Sequence, residues 1–413
     1  MTSPLFHPRT LEGVLDRAAA QFPAVVVTGP RQSGKTTLVR HRFGDSHAYC
    51  TLDDPIVRKQ AEEDPNLLLG RFPPPVIFDE IQYAPGLLHS IKVDVDRHRG
   101  ERGRYVITGS QSFPLMAGVT ESLAGRTAVL ALQSLSFREA VGLPEPEREW
   151  RELLLAGEPA APSVPEEGVG AVARAILRGG FPEPALLPEM DARLWHGAYL
   201  QTYLERDVRT LRGVGDLGTF QDFLFALAAR SGSLINYSDL ARDLKVTAKT
   251  VKEWVSVLEA SGQVLVLKPY HTSLGKRLVK RPKIFFLDTG LLAYLLGLRT
   301  EDQILQGIAA GPMFESAVVG QLYRLLAHRG EVPRIYFWRT ADGHEVDFVV
   351  EAGAELIPIE AKLSATPSPR AAAGVERFLE LFGERAERGL LVYLCGERFP
   401  LTDRVEAVPF GAF

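Results

Sequence analysis

The sequence predicts an α/β protein with two α/β ends and a helical centre. Short apolar runs of the kind buried in parallel sheets stand at Ala24–Thr28, Val76–Phe78 and Tyr105–Thr108, with helical stretches between them. From about Ala171 to Arg230 the pattern is helical. Beyond about Phe314, helix and strand patterns alternate again. Alternation at both ends of a helical middle implies separate domains, not one large sheet. At about 150 residues per domain, 413 residues make two to three of them.

Composition narrows the classes. The chain is 46% hydrophobic and 24% charged, which is ordinary globular composition and too apolar for global disorder. Its two cysteines, Cys50 and Cys395, exclude a disulfide scaffold and a Cys-rich zinc module and fit a reducing compartment. No apolar run reaches the roughly 18 to 20 residues of a membrane span. The opening MTSPLFHPRT has no apolar signal core. The expectation is a cytoplasmic protein with no membrane partner. The net charge of −4 hides an asymmetry. Ten Lys/Arg and four Asp/Glu lie between Ser231 and Lys283, leaving 37 basic and 47 acidic residues elsewhere. A basic island on an acidic chain is either a polyanion site or a solvated basic face.

In the first region, 1–140, the first strand run is AVVVT, Ala24–Thr28. Gly29, Pro30, Arg31, Gln32, Ser33, Gly34, Lys35 and Thr36 follow it, matching G-x-x-x-x-G-K-[ST], and the helical segment from Thr36 and Thr37 comes next. Strand, loop and helix in that order are the context the motif needs. Its backbone N–H groups would cradle the phosphates of ATP, and the helix N-terminus favours the anion. Lys35 would reach the β- and γ-phosphates, and Thr36 would hold Mg²⁺. The run Val76–Phe78 ends in Asp79 and Glu80. Asp79 would hold the same Mg²⁺, and Glu80 would polarise the attacking water. The third strand runs into Gly109, Ser110 and Gln111, where a polar side chain such as Ser110 could orient that water. Arg126, in LAGRT, is either a surface arginine or a finger that stabilises transition-state charge, acting in a neighbouring subunit of a homo-oligomer.

Residues 141–230 form a Pro/Glu/Gly-rich linker and a helical region. In 231–283, Tyr237–Leu244 reads as a short helix, Val246–Thr247 as a turn, and Ala248–Ala260 as a second helix capped by Thr247. The second helix has its apolar face at Val251, Trp254, Val255 and Leu258. A strand at Val264–Leu267 and a basic arm with Lys276, Arg277, Lys280, Arg281 and Lys283 follow. That order resembles a winged helix. In such a module Lys245, Lys249 and Lys252, with the arm, would face nucleic acid, DNA being expected; the alternative is a protein-docking module.

The last region, 284–413, reads as a helix at Phe314–Ala327, strands near Ile335–Trp338, Glu345–Val350 and Glu355–Ile359, a helix at Ala371–Leu381 and a strand at Gly389–Tyr393. Asp347 on one strand, with Glu360 and Lys362 on the next, would converge if the strands are neighbours. Two carboxylates could bind Mg²⁺, Lys362 could orient or deprotonate a water, and Glu315 on the preceding helix could add a ligand. This D-(x)n-E-x-K spacing resembles that of PD-(D/E)xK nucleases. A nuclease-like fold used only for binding, or a salt-bridged sheet end, fits it too.

Taken together, GPRQSGKTTL, VIFDEIQ, ITGSQS, LAGRT, LSFREA, GGFPEP, YLERDV, KRLVKRPKIFFLDTGLLAYLLG and EVDFVVEAGAELIPIEAK resemble one family across nearly the whole chain. These are bacterial and archaeal AAA-type ATPases with a C-terminal domain called DUF4143. The resemblance implies a P-loop AAA-type ATPase domain, ATP binding, a sensor role for the Ser110/Gln111 region, and a restriction-endonuclease-like C-terminal half. The expected function is ATP hydrolysis coupled to action on nucleic acid, with cleavage by the C-terminal site left open. The alternative is a nucleotide-gated binding or signalling protein that docks protein partners.

Overall fold

The structure, a computed structural model, describes residues 6–110, 119, 122–144, 150–155, 168–203, 217–270, 281–340 and 342–412. Its N-terminal layer is a five-stranded parallel sheet in the order β2-β3-β4-β1-β5, built from β1 (Ala24–Thr28), β2 (Ala48–Thr51), β3 (Val76–Asp79), β4 (Tyr105–Thr108) and β5 (Thr127–Ala131). The three predicted strands are its centre, and every residue of β1, β3 and β4 is buried. Both faces are covered: helices α1 (Leu11–Gln21) and α2 (Lys35–Phe43) pack on one, and α3 (Leu87–Arg97) on the other. Strands buried on both faces lose their alternation and read as continuous apolar runs. The flanking strands β2 and β5 are partly exposed, so the sequence signal passed over them.

The middle of the chain is helical: α4 (Gly168–Arg178), α5 (Ala192–Tyr203) and α6 (Leu217–Ala228), then α7 (Tyr237–Asp243) and α8 (Ala248–Ala260). Thr247 caps α8 by accepting from the Thr250 N–H at 3.0 Å. The predicted face of α8 is buried, and Trp254 lies against Phe220 and Phe223 with ring centres 5.3 and 5.2 Å away. Trp254 is therefore core, not a base-stacking platform.

Strand β6 (Val264–Pro269) pairs antiparallel with β7 (Lys283–Phe286) and parallel with β8 (Ile335–Arg339). This joins the helical unit to a second sheet, so β7 runs across the 283/284 division. The sheet continues through β9 (Glu345–Ala352), β10 (Glu355–Lys362), β11 (Gly389–Tyr393), β13 (Val405–Pro409) and the short edge β12 (Phe399–Pro400). Helices α9 (Thr289–Leu295) and α10 (Ala310–Ala327) lie on one face and α11 (Ala373–Phe382) on the other. Among the described residues no helix is long and apolar enough to cross a membrane.

The two ends of the chain meet through a buried polar joint. Glu139 caps its own short helix through Ser136 and is wholly buried. One of its oxygens accepts from the Thr10 N–H at 2.8 Å, and the other lies 3.2 Å from Arg9 Nε. Arg9 in turn donates to the Ser33 and Gln133 carbonyls at 2.9 and 2.8 Å. From the far side His328, just past the end of α10, stands 3.2 Å from Glu139. The Gln133 N–H donates to His328 Nε2 at 3.1 Å, so the proton sits on Nδ1 and is given to Glu139. Burial lowers the His328 pKa and favours this neutral form. Arg324, also on α10, donates to the Ser134 and Leu287 carbonyls at 3.2 and 2.7 Å. Helix α10 is thus plugged at its C-terminal end into the N-terminal layer.

Candidate functional site

The phosphate loop leaves β1 through backbone that few residues can adopt. Gly29 has φ of 144°, and a Cβ there would stand 2.0 Å from the Leu132 carbonyl oxygen, so only glycine fits. Gln32 and Gly34 also have positive φ, 59° and 93°, and α2 starts at Lys35. The Lys35 ammonium donates to the Gly29 and Pro30 carbonyls at 3.2 and 2.7 Å, curling over its own loop. Ser33 Oγ is buried with no partner among the described residues. Arg31 and Gly34 are half-buried, and Gln32 and Thr37 are exposed.

Asp79, at the end of β3, is held from three sides. Thr36 Oγ1 lies 3.0 and 3.1 Å from its two oxygens, Tyr49 donates to it at 2.7 Å, and Thr108 donates to it. A carboxylate and a hydroxyl brought together at the start of α2 suit Mg²⁺, which is usually bound by few protein ligands plus phosphates and water. Glu80 follows in left-handed backbone, φ 60°, with its N–H on Thr108 Oγ1 at 3.2 Å. Gln82, which carried no predicted role, donates its amide to Glu80 and accepts from the Ser110 N–H at 3.2 Å. It bridges the predicted base to the end of β4. Gln111 lies outside the described residues.

Arg126 does not share this site within its own chain. It precedes β5, whose first residue pairs with Ala24, whereas the phosphate loop follows Thr28 at the opposite edge of the parallel sheet. Its guanidinium is held by Asp96 of α3 at 2.8 and 3.0 Å. The finger reading therefore requires a second copy of the chain.

Lys245, Lys249 and Lys252 are exposed, as is Arg281; Lys276, Arg277 and Lys280 lie outside the described residues. Lys252 rests over the Tyr237 ring, 5.6 Å from its centre. The expectation for Lys283 is corrected. Its side chain is 7% exposed and its ammonium is 2.5 Å from Glu345, so it points into the protein and not at a polyanion. It opens β7, all four of whose residues are buried, so it belongs to the strand and not to an exposed arm.

The C-terminal carboxylates do converge, because β9 and β10 are antiparallel neighbours. Asp347 accepts the Ala361 N–H at 3.0 Å, and Lys362 donates to Glu360 at 2.5 Å. Burial, then the Asp347 charge, push the Glu360 carboxyl up to about 8. The same two causes, in the same order, push Glu315 up to about 7. Burial opposes the charge on Lys362, but Glu360 and Asp347 raise its pKa overall. Among the described residues no three His, Cys, Asp or Glu side chains are grouped to hold a metal ion, so Glu315 does not complete a three-carboxylate seat. Asp347 and Glu360 remain a two-carboxylate pair, a set that suits Mg²⁺. Glu360 Oε2 is buried with no partner among the described residues, which fits an oxygen kept for a ligand.

An uncharacterized protein of Mycobacterium tuberculosis and one of Mycobacterium bovis are each 33% identical over 411 residues, covering 98% of this chain and 84% of theirs. Residues 21–141 match the model of the AAA domain, and 310–413 that of a domain of unknown function, DUF4143. The chain belongs to the AAA-domain family that carries DUF4143. Another domain of unknown function, DUF8612, matches 170–302 of this AAA/DUF4143 protein, a stretch that takes in α4 through α9. A solved Walker-type ATPase of Pyrococcus abyssi is 15% identical, with a TM-score of 0.44, covering 70% of this chain and 96% of that one.

LSFREA and GGFPEP, motifs with no expected role, are joints of this fold, while YLERDV beyond Tyr203 lies outside the described residues. LSFREA supplies Ser136 and Glu139. GGFPEP meets FFLDTGLL where the Gly180 N–H donates to Asp288 at 2.9 Å. A Cβ on Gly179 would stand 2.4 Å from Asp288 Oδ1, so that approach is closed to other residues.

Proposed function

We propose that this protein is an ATPase that acts on nucleic acid, DNA being the expected form, with Mg²⁺ as its nucleotide cofactor. The observation that carries the ATPase part is the loop geometry: three positive-φ residues, the start of α2, and Thr36 beside Asp79. Lys35 binds phosphate, Thr36 and Asp79 hold the metal, and Glu80 polarises water for attack on the γ-phosphate. Support for nucleic acid comes from exposed Lys245, Lys249 and Lys252 on a helix–turn–helix followed by an antiparallel strand pair, an arrangement suited to a winged helix.

The test is steady-state ATP turnover, alone and with single-stranded, duplex and branched DNA or RNA. Lys35→Ala should lose nucleotide binding. Glu80→Gln should keep binding and lose turnover by about 100-fold or more, the usual contribution of a general base. Wild-type turnover in Glu80→Gln would refute the base assignment. Stimulation by one nucleic-acid form, lost in a Lys245/Lys249/Lys252 triple alanine, supports the nucleic-acid reading.

A second reading is a nucleotide-gated binding protein whose C-terminal centre does not cleave. It is favoured by Lys362 and Lys283 being spent on Glu360 and Glu345. Turnover indifferent to every nucleic acid, and no cleavage with Mg²⁺ or Mn²⁺, would select it.

A further inference from the structure

Lys283 is the residue whose place in the fold is least expected from its sequence. It opens β7 yet lies against β8 and β9, with its ammonium 2.5 Å from Glu345 and 5.5 Å from the centre of the Phe337 ring. Burial works against its charge, but Asp347, Glu315 and Glu345 hold its pKa above the ordinary lysine value. Glu345 is also approached by Arg339 at 3.6 Å.

Charge arithmetic makes the position meaningful. Glu315, Glu345, Asp347 and Glu360 face Lys283 and Lys362. With every group ionised, these four carboxylates face the two lysines and, at Glu345, Arg339, which leaves one uncompensated negative charge. Without Lys283 the deficit would be two, and Glu345 and Glu315 would lose a cation that faces them. Buried Glu360 supplies the independent sign that a ligand belongs here, through its unpartnered Oε2.

We propose that Lys283 is an internal counter-ion of the C-terminal centre: by holding Glu345 and facing Glu315 and Asp347, it sets how tightly Asp347 and Glu360 take a divalent cation. It is a positioning residue that acts through carboxylates. The proposal rests on the reading of Asp347 and Glu360 as a metal pair.

The experiment is calorimetric titration of Mn²⁺ into the full-length, nucleotide-free protein, which reads metal uptake and not activity. Lys283→Met keeps the aliphatic stem over Phe337 and deletes the charge. Glu345→Gln breaks the same ion pair from its other side and frees the ammonium to turn on Asp347. Wild type should take up one ion that Asp347→Asn abolishes. Lys283→Met should bind about 10-fold or more tightly, since a unit charge removed a few ångströms away is worth a kcal/mol or more near a protein surface. Glu345→Gln should bind more weakly, and Lys283→Arg should behave as wild type. Opposite shifts in the two variants are what loosened structure alone would not produce. Should Lys283→Met fail to fold, unchanged or tighter binding in Glu345→Gln would still overturn the proposal. Asp347-dependent uptake that Lys283→Met leaves unchanged or weakens would overturn the role of Lys283 and leave the metal pair standing. No uptake by any variant would overturn both.

Discussion

Two buried glutamates show how differently this molecule treats one kind of side chain. Glu139 is 0% and Glu360 8% exposed. Glu139 accepts from the Thr10 and Ser136 N–H groups and from His328, and pairs with Arg9. Burial pushes its carboxyl up, but the Arg9 charge and the hydrogen bonds from His328 and the Ser136 N–H outweigh it and hold it well below the usual carboxylate range. Glu360 has Lys362 on one oxygen and nothing on the other among the described residues, and it is pushed upward. A buried polar group normally finds its partners. The satisfied one is a joint that fixes α10 to the N-terminal layer. The unsatisfied one is held at a cost to stability, which is what a site requires.

Substitution should therefore move stability in opposite directions. Glu139→Gln strands Arg9 as an uncompensated buried charge, and should cost about 3 to 5 kcal/mol by urea denaturation. A loss under about 1 kcal/mol would mean the joint is not what holds the two layers. Glu360→Gln removes a carboxyl whose ionisation the fold disfavours and leaves Lys362, which is 41% exposed, free to turn to water. It should gain about 1 to 3 kcal/mol at pH 7. Equal or lower stability would show that Glu360 is satisfied in solution.

The joint also fixes the pH response. His328 is lowered by burial, so below about 6.5 the unfolded chain binds this proton before the folded chain does. Glu139 is held down in the folded chain, so its contribution is present above the ordinary carboxylate range and lost as the pH falls through its folded value. Both make stability rise with pH, by about 1.4 kcal/mol per unit for each proton in excess. His47 and His196 are lowered by burial too, so the measurement is a difference. Unfolding midpoints of wild type and His328→Asn between pH 5 and 7 should diverge, with the variant flatter. Parallel curves would refute the neutral, buried imidazole.

What the sequence made legible follows from the same contrast. The phosphate loop and the strand before Asp79 were readable because that chemistry is local: consecutive residues carry it, and glycine and apolar runs signal it. The convergence of Asp347 with Glu360 was readable because β9 and β10 are joined by a tight turn. The joint was not readable. Arg9, Glu139 and His328 are separated by more than a hundred residues and stand in no shared period, so only the packed fold brings them together. Lys283 was misread for a related reason: in a run of basic residues nothing local marks which one turns inward. Gln82 was visible in VIFDEIQ, and its bridge to Ser110 depends on β3 and β4 being neighbours.

The smallest stability effect belongs to an ion pair on the surface. Arg126 and Asp96 make two good hydrogen bonds, yet both are about a third exposed and water already serves them well. Arg126→Ala should leave the unfolding midpoint unchanged within error, unlike either buried glutamate. That makes it a clean probe of assembly, because any change in activity cannot be blamed on folding. If a neighbouring copy uses this arginine, wild-type ATP turnover per chain should rise with protein concentration, and Arg126→Ala should remove that rise. Mixing Arg126→Ala with Lys35→Ala should then restore turnover: the second chain donates its arginine to the intact phosphate loop of the first. Turnover independent of concentration and indifferent to Arg126→Ala would leave the residue as half of an ordinary surface pair, and each chain would hydrolyse ATP without an arginine from its neighbour.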